Sequence, residues 1–193
     1  MSTSVERTGT RALPGDLAMW FFILAELAVF GILILAFAVT QWLQPELFRA
    51  GRAVLDSSMG LALTLSLLTS GFFAALAVEQ VRRGRAQGGA ILLLAALLSA
   101  CGYVVLKLQE YAHLAGLGYG LEHDTFFTLY WILTGFHFLH VLLGMVILAW
   151  MAERCRRRAY EPHACSGLES GVLYWHMVDL VWVLLFPLVY VLG

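Results

Sequence analysis

Charge is what this sequence has least of: only 13% of its 193 residues are Asp, Glu, Lys or Arg, and 61% are hydrophobic, whereas a soluble domain carries about 25% charged residues. The few charges gather between long apolar runs instead of alternating with them, so no water-facing surface can be assembled and a soluble globular domain is excluded. Twelve Lys and Arg against 13 Asp and Glu leave no basic excess that would point to nucleic acid or to an acidic substrate. Cysteine is scarce as well. Cys101, Cys155 and Cys165 are odd in number and show no CxxC spacing, which argues against a disulfide framework, and the last two fall in an Arg-rich connection assigned below to the cytoplasm, where thiols stay reduced. There is no CxxCH for haem attachment, and the glycine-rich run Ala115 to Gly120 lacks the Lys and Ser/Thr of a phosphate loop. Internal repeats and low-complexity tracts are also missing.

What the chain does have is five apolar runs, 17–41, 58–81, 89–111, 125–151 and 170–192, each near the about 20 residues that span a hydrocarbon core. This predicts an all-α bundle of five transmembrane helices (residues 17–193) after a polar segment, 1–16. The first run is too long for a signal-peptide core and is expected to remain as the first span. Pro45 and the stretch ending at Arg52 break the first connection; Arg82-Arg83-Gly84-Arg85 is a tight second one. Nine basic residues (Arg7, Arg11, Arg82, Arg83, Arg85, Arg154, Arg156, Arg157, Arg158) fall on one side and two (Arg49, Arg52) on the other. Cytoplasmic loops carry the excess, so the N-terminus, with segment 1–16, is expected in the cytoplasm and the C-terminus in the periplasm. Small residues recur four apart at Ser66 and Ser70, Ala95 and Ser99, Ala96 and Ala100, the spacing that lets helices approach closely in lipid.

Ionisable residues inside the spans stand out because each costs roughly 2.5–3.5 kcal/mol to insert at mid-bilayer. Glu26 and Asp179 lie equally far from the cytoplasmic ends of their spans, and His137 with His140 and His176 with Asp179 repeat an i, i+3 spacing that shares a helix face. Glu26, His137, His140, His176 and Asp179 are therefore expected to form one buried polar network in one slab of the membrane, with Thr134, Tyr130 and Tyr174 as further hydrogen-bond partners. Three readings compete: a network that fixes helix register, a proton relay or buffer at Glu26, and a metal site of two His and a carboxylate. Lys107 and Glu110, also i, i+3, read as an interfacial ion pair with Lys107 snorkelling. Trp182, deeper than the other tryptophans, reads as a packing residue. Three intramembrane histidines are too few for a haem-copper centre, so the chain is expected to carry no cofactor, no bound metal and no catalytic residue of its own.

These residues fall into strings that resemble the cytochrome c oxidase subunit 3 family, subunit III of the haem-copper oxidases: Trp20-Phe21-Phe22-Ile23-Leu24-Ala25-Glu26 through Phe30, Glu110-Tyr111, Thr134-Gly135-Phe136-His137-Phe138-Leu139-His140-Val141 with Gly144, and Tyr174-Trp175-His176-Met177-Val178-Asp179 through Trp182 to Tyr190. Longer members have seven helices, and this chain is similar to the five-helix form lacking the first two. The resemblance implies a non-catalytic accessory subunit, in a bacterial inner (cytoplasmic) membrane, whose partners are lipids and a haem-copper-type catalytic subunit. Within the short form, Leu13-Pro14-Gly15-Asp16-Leu17-Ala18-Met19-Trp20 looks most like NorE-like proteins, which accompany nitric oxide reductase in denitrification; the alternative is subunit III of a terminal cytochrome c or quinol oxidase. A proton-coupled transporter is a further alternative, although no inverted repeat is visible.

Overall fold

In the computed structural model, residues 17–160 and 165–192 are described; segment 1–16, assigned above to the cytoplasm, lies outside them. The described residues form α1 (Leu17–Leu43), α2 (Pro45–Val54), α3 (Ser57–Arg82), α4 (Ala86–Gly116), α5 (Thr125–Arg156) and α6 (Ser166–Phe186), which runs on into a π-helical turn, Pro187–Val191. All but α2 are long and apolar enough to cross a membrane, and no strand occurs among the described residues. The protein is an α-helical bundle with five transmembrane-capable helices.

The helix limits follow from local chemistry. The Asp56 carboxylate accepts the Ser58 amide at 2.8 Å and the Ser58 hydroxyl at 2.5 Å, which starts α3. Asp124 accepts the Phe127 amide at 2.9 Å and starts α5. Each carboxylate satisfies an amide that has no partner within its helix. Helix α4 ends where Gly118 turns to φ 86°, its amide returning to the Ala115 carbonyl and that of Tyr119 to the Leu114 carbonyl, a glycine-dependent stop. α4 and α5 thus extend to Gly116 and Arg156, beyond the expected apolar runs, because hydropathy marks what fits in hydrocarbon while caps decide where the helix stops.

The first connection departs from expectation. Pro45 does not break the chain there but occupies the first turn of α2, where its missing N–H has no helical role. α2 seats Phe48 against Phe37 and Phe126, ring centroids 5.0 and 5.3 Å away, and Gly51 lies against the Phe126 ring with no room for a Cβ.

α3 and α4 are the most extensively packed pair, and the small residues noted in the sequence are the reason. Ser66 donates to the Ser99 carbonyl at 2.6 Å, Ser99 returns a bond to the Ser66 carbonyl at 2.7 Å, and Ser70 donates to the Ala96 carbonyl at 2.7 Å. α6 is central, touching α1, α3 and α5. At its crossing with α5, Gly144 lies so near Trp175 that a Cβ would come within 2.6 Å of the indole ring. α1 is outermost. It buries only Ile23, Phe30 and Phe37, a stripe of seven-residue spacing, and leaves Phe21, Leu24, Ile32 and Leu35 exposed.

Candidate functional site: polar groups inside the bundle

The Lys107 ammonium on α4 is fully enclosed by the bundle. Lys107 is 0% exposed and donates to Glu110 Oε2 at 2.6 Å, Tyr130 Oη at 3.1 Å and Tyr190 Oη at 3.1 Å. Its three donors therefore meet three acceptors. Tyr190 in turn donates to the Glu110 carboxylate at 2.8 Å, and the Tyr111, Tyr130 and Trp182 rings surround the ammonium with centroids 4.8, 5.0 and 5.2 Å away. The expected ion pair forms, but the bundle encloses it and Lys107 does not snorkel. Two tyrosines from α5 and the π-helical turn satisfy it internally, which removes the reason for its stem to reach outward. The turn's geometry supplies one of these, since it carries Tyr190 back over α4.

His137, wholly buried, sits between α4 and α6, with Nδ1 3.3 Å from Tyr103 Oη and Nε2 3.2 Å from the Val178 carbonyl. A carbonyl only accepts, so Nε2 carries a hydrogen and Nδ1 accepts from the tyrosine. Trp182 lies tilted beside it, ring centroids 5.0 Å apart, and donates its own N–H to Thr64 Oγ1 at 3.0 Å.

Glu26 reaches from α1 to α5, its Oε2 3.0 Å from His140 Nε2. The other nitrogen of His140, Nδ1, lies 2.8 Å from the Phe136 carbonyl and must donate to it. The bond between Glu26 and His140 consequently holds one labile proton, carried either by the carboxyl or by Nε2. Tyr174 donates to the His140 carbonyl at 3.2 Å.

His176 and Asp179 form a looser pair on α6, His176 Nδ1 lying 3.8 Å from Asp179 Oδ2. Asp179 projects toward Gly71 of α3, whose missing side chain provides its room.

The five residues expected in one network thus separate into three local arrangements, Glu26 with His140, His137 with Tyr103 and the Val178 carbonyl, and His176 with Asp179; no hydrogen bond joins one to another among the described residues. Residues three apart stand about 60° short of a full turn, enough to point His137 at α4 and α6 while His140 faces α1. Among the described residues, no three His, Cys, Asp or Glu side chains converge as a metal-ligand set. Tyr103 and Tyr190 complete two of the clusters and were missed in the sequence, where a tyrosine in an apolar helix is indistinguishable from a packing or interface residue.

The chain is similar to known proteins over nearly its whole length. Residues 15–193 match the family described as "Cytochrome c oxidase subunit III". The chain belongs to that family. Relatives include the "Quinol oxidase subunit 3" of Bacillus subtilis (strain 168) and of Bacillus spizizenii, each 30% identical over 92% of this chain and 86% of the relative. The "Probable quinol oxidase subunit 3" of Staphylococcus aureus (strain COL) is 30% identical over all of this chain and 98% of that protein. With five transmembrane-capable helices and bacterial subunit III relatives, this is a multi-pass bacterial membrane protein, and membership of the subunit III family implies association with a catalytic haem-copper oxidase subunit. In this subunit III chain the motif around His137 and His140 binds α1, α4, α5 and α6 together, and the motif ending at Tyr190 closes over Lys107.

Proposed function

We propose that the chain is subunit III of a bacterial quinol-type terminal oxidase, a non-catalytic subunit that packs against the haem-copper catalytic subunit and stabilises it. The observation that carries this reading is the end-to-end similarity to quinol oxidase subunits 3. The side-chain geometry is in keeping with it: Glu110, Lys107, His137 and His140 are committed to partners within the chain. Residues 17–193 would form the subunit III-like domain, with the N-terminus cytoplasmic and the C-terminus periplasmic. The one-proton bond between Glu26 and His140 is read first as a tie between α1 and α5, and second as a site that buffers protons for the partner.

A nitric oxide reductase partner is the second reading, supported by the NorE-like string Leu13 to Trp20; the quinol oxidase relatives favour the oxidase. Purifying the tagged chain from native membranes tests both. A co-purifying haem protein that oxidises quinol with oxygen supports the first, one that reduces nitric oxide supports the second, and the absence of any haem protein overturns both.

A further inference from the structure

We infer that the groove between α3 and α6 at Gly71, His176 and Asp179 receives a transmembrane helix of the catalytic subunit, and that this helix presents a hydrogen-bond donor to Asp179 at mid-membrane. The inference rests on the function proposed above and assigns the face through which that association occurs.

Asp179 is only 6% exposed, yet its Oδ1 has no hydrogen-bond partner, and Oδ2 meets only His176, at 3.8 Å, beyond hydrogen-bond distance. His176 is 44% exposed. Both face an open groove of about 390 Å³ that is otherwise lined by Leu68, Phe72, Leu180 and Val183. The groove lies at mid-span: Gly71 is the fifteenth of the 26 residues of α3, and Asp179 the fourteenth of the 26 from Ser166 to Val191. Gly71 shapes it, because a Cβ at that position would collide with Asp179 Oδ2. Glycine thus keeps the carboxyl in a notch with one oxygen unclaimed.

Lipid cannot satisfy such a pair. Hydrocarbon offers no donor, and an ionisable group facing it at this depth costs about 2.5–3.5 kcal/mol. Other ionisable groups inside the bundle are completed within the chain, Glu26 by His140, Lys107 by Glu110 and two tyrosines, and His137 by Tyr103 and a carbonyl. The exposed face of α1, by contrast, presents Phe21, Leu24, Ile32 and Leu35, which lipid solvates as well as protein does. The occupant of the groove must bring polar hydrogen to the bilayer centre. A membrane-spanning helix does this without exposing its own backbone, with a hydroxyl, amide or indole N–H to complete the Asp179 carboxyl through Oδ2, since Oδ1 is enclosed by the chain itself, and apolar side chains to cover Phe72 and Leu180.

Photocrosslinking in the native complex tests the assignment. With p-benzoylphenylalanine in place of Phe72 or Leu180, the expected product is a covalent adduct with the co-purifying haem-containing subunit, and the same probe at Leu35 of α1 is expected to react with lipid. Asp179→Leu is expected to lower recovery of the haem protein about tenfold under competing detergent, the worth of about 1.4 kcal/mol, while Asp179→Asn, which keeps an acceptor, restores most of it. The crosslinks do not depend on the Asp179 variants folding. Adducts from Phe72 and Leu180 with lipid alone, or with a second copy of this chain, overturn the assignment while haem protein still co-purifies and the proposed function stands. If the unmodified chain brings down no haem protein, the function fails, and the assignment with it.

Discussion

Replacing Glu110 by Gln would leave the Lys107 ammonium enclosed, 0% exposed, without its counter-charge. At the observed 2.6 Å separation and an effective dielectric of about 20, the lost attraction is about 6 kcal/mol. The desolvation already paid for both charges offsets much of that, and breaking a buried pair from one side costs about 3–5 kcal/mol. The neutral amide still accepts one bond, so Glu110→Gln is expected at the lower end and Glu110→Leu at the upper. The double variant Lys107→Met/Glu110→Leu removes both charges and is expected to lose far less than Glu110→Leu alone, because an apolar pair of similar volume needs no compensation. Thermal unfolding of the detergent-solubilised protein, run as a double-mutant cycle, reads the difference. If the double variant loses the sum of the two single losses, Lys107 and Glu110 do not act as a pair and the description of the cluster as mutually satisfied is wrong.

Gly144→Ala is expected to destabilise the α5–α6 crossing by about 1–3 kcal/mol, since the new Cβ would lie 2.6 Å from Trp175; unfolding in the same assay checks it. The Ser58 hydroxyl and amide hold the Asp56 carboxyl below the ordinary aspartate range, so its contribution to the start of α3 is present above the unfolded-state value and is lost as the pH falls through the lower folded one. Amide exchange at Ser58 should rise over that acidic interval beyond its intrinsic pH dependence, and Asp56→Asn should abolish the excess. Reporter fusions at Arg83 and Arg157 should report cytoplasm and one at Gly193 periplasm; a cytoplasmic C-terminus would contradict the proposed orientation. Glu26→Gln should preserve assembly if its bond to His140 is structural, whereas faster loss of partner activity during turnover would identify it as a proton site.

The five long helices were legible because each is an unbroken apolar run. Direction around the axis was not. Whether His137 and His140 meet one neighbour or two depends on where α1, α4 and α6 stand around α5, which one sequence does not specify. The same limit hid the Lys107 cluster. The i, i+3 spacing to Glu110 was visible, but Tyr190 is 83 residues away from Lys107 and is brought back only by packing and the π-helical turn. α2 was hidden for a local reason, Pro45 being equally at home in a break and in a first helical turn. The small residues Ser66, Ser70, Ala96 and Ser99 were the most direct guide to a contact, since close approach in lipid favours small side chains and their hydroxyls then meet the opposing carbonyls.

Association with an oxidase catalytic subunit is the claim on which the functional account turns, and purification of the tagged chain from native membranes under mild detergent measures it most directly. The account predicts a complex with haem absorption that consumes oxygen when supplied with quinol, and deletion of the chain should leave a catalytic subunit that loses this activity sooner. Recovery of the chain alone, with neither haem nor quinol oxidase activity, would contradict it.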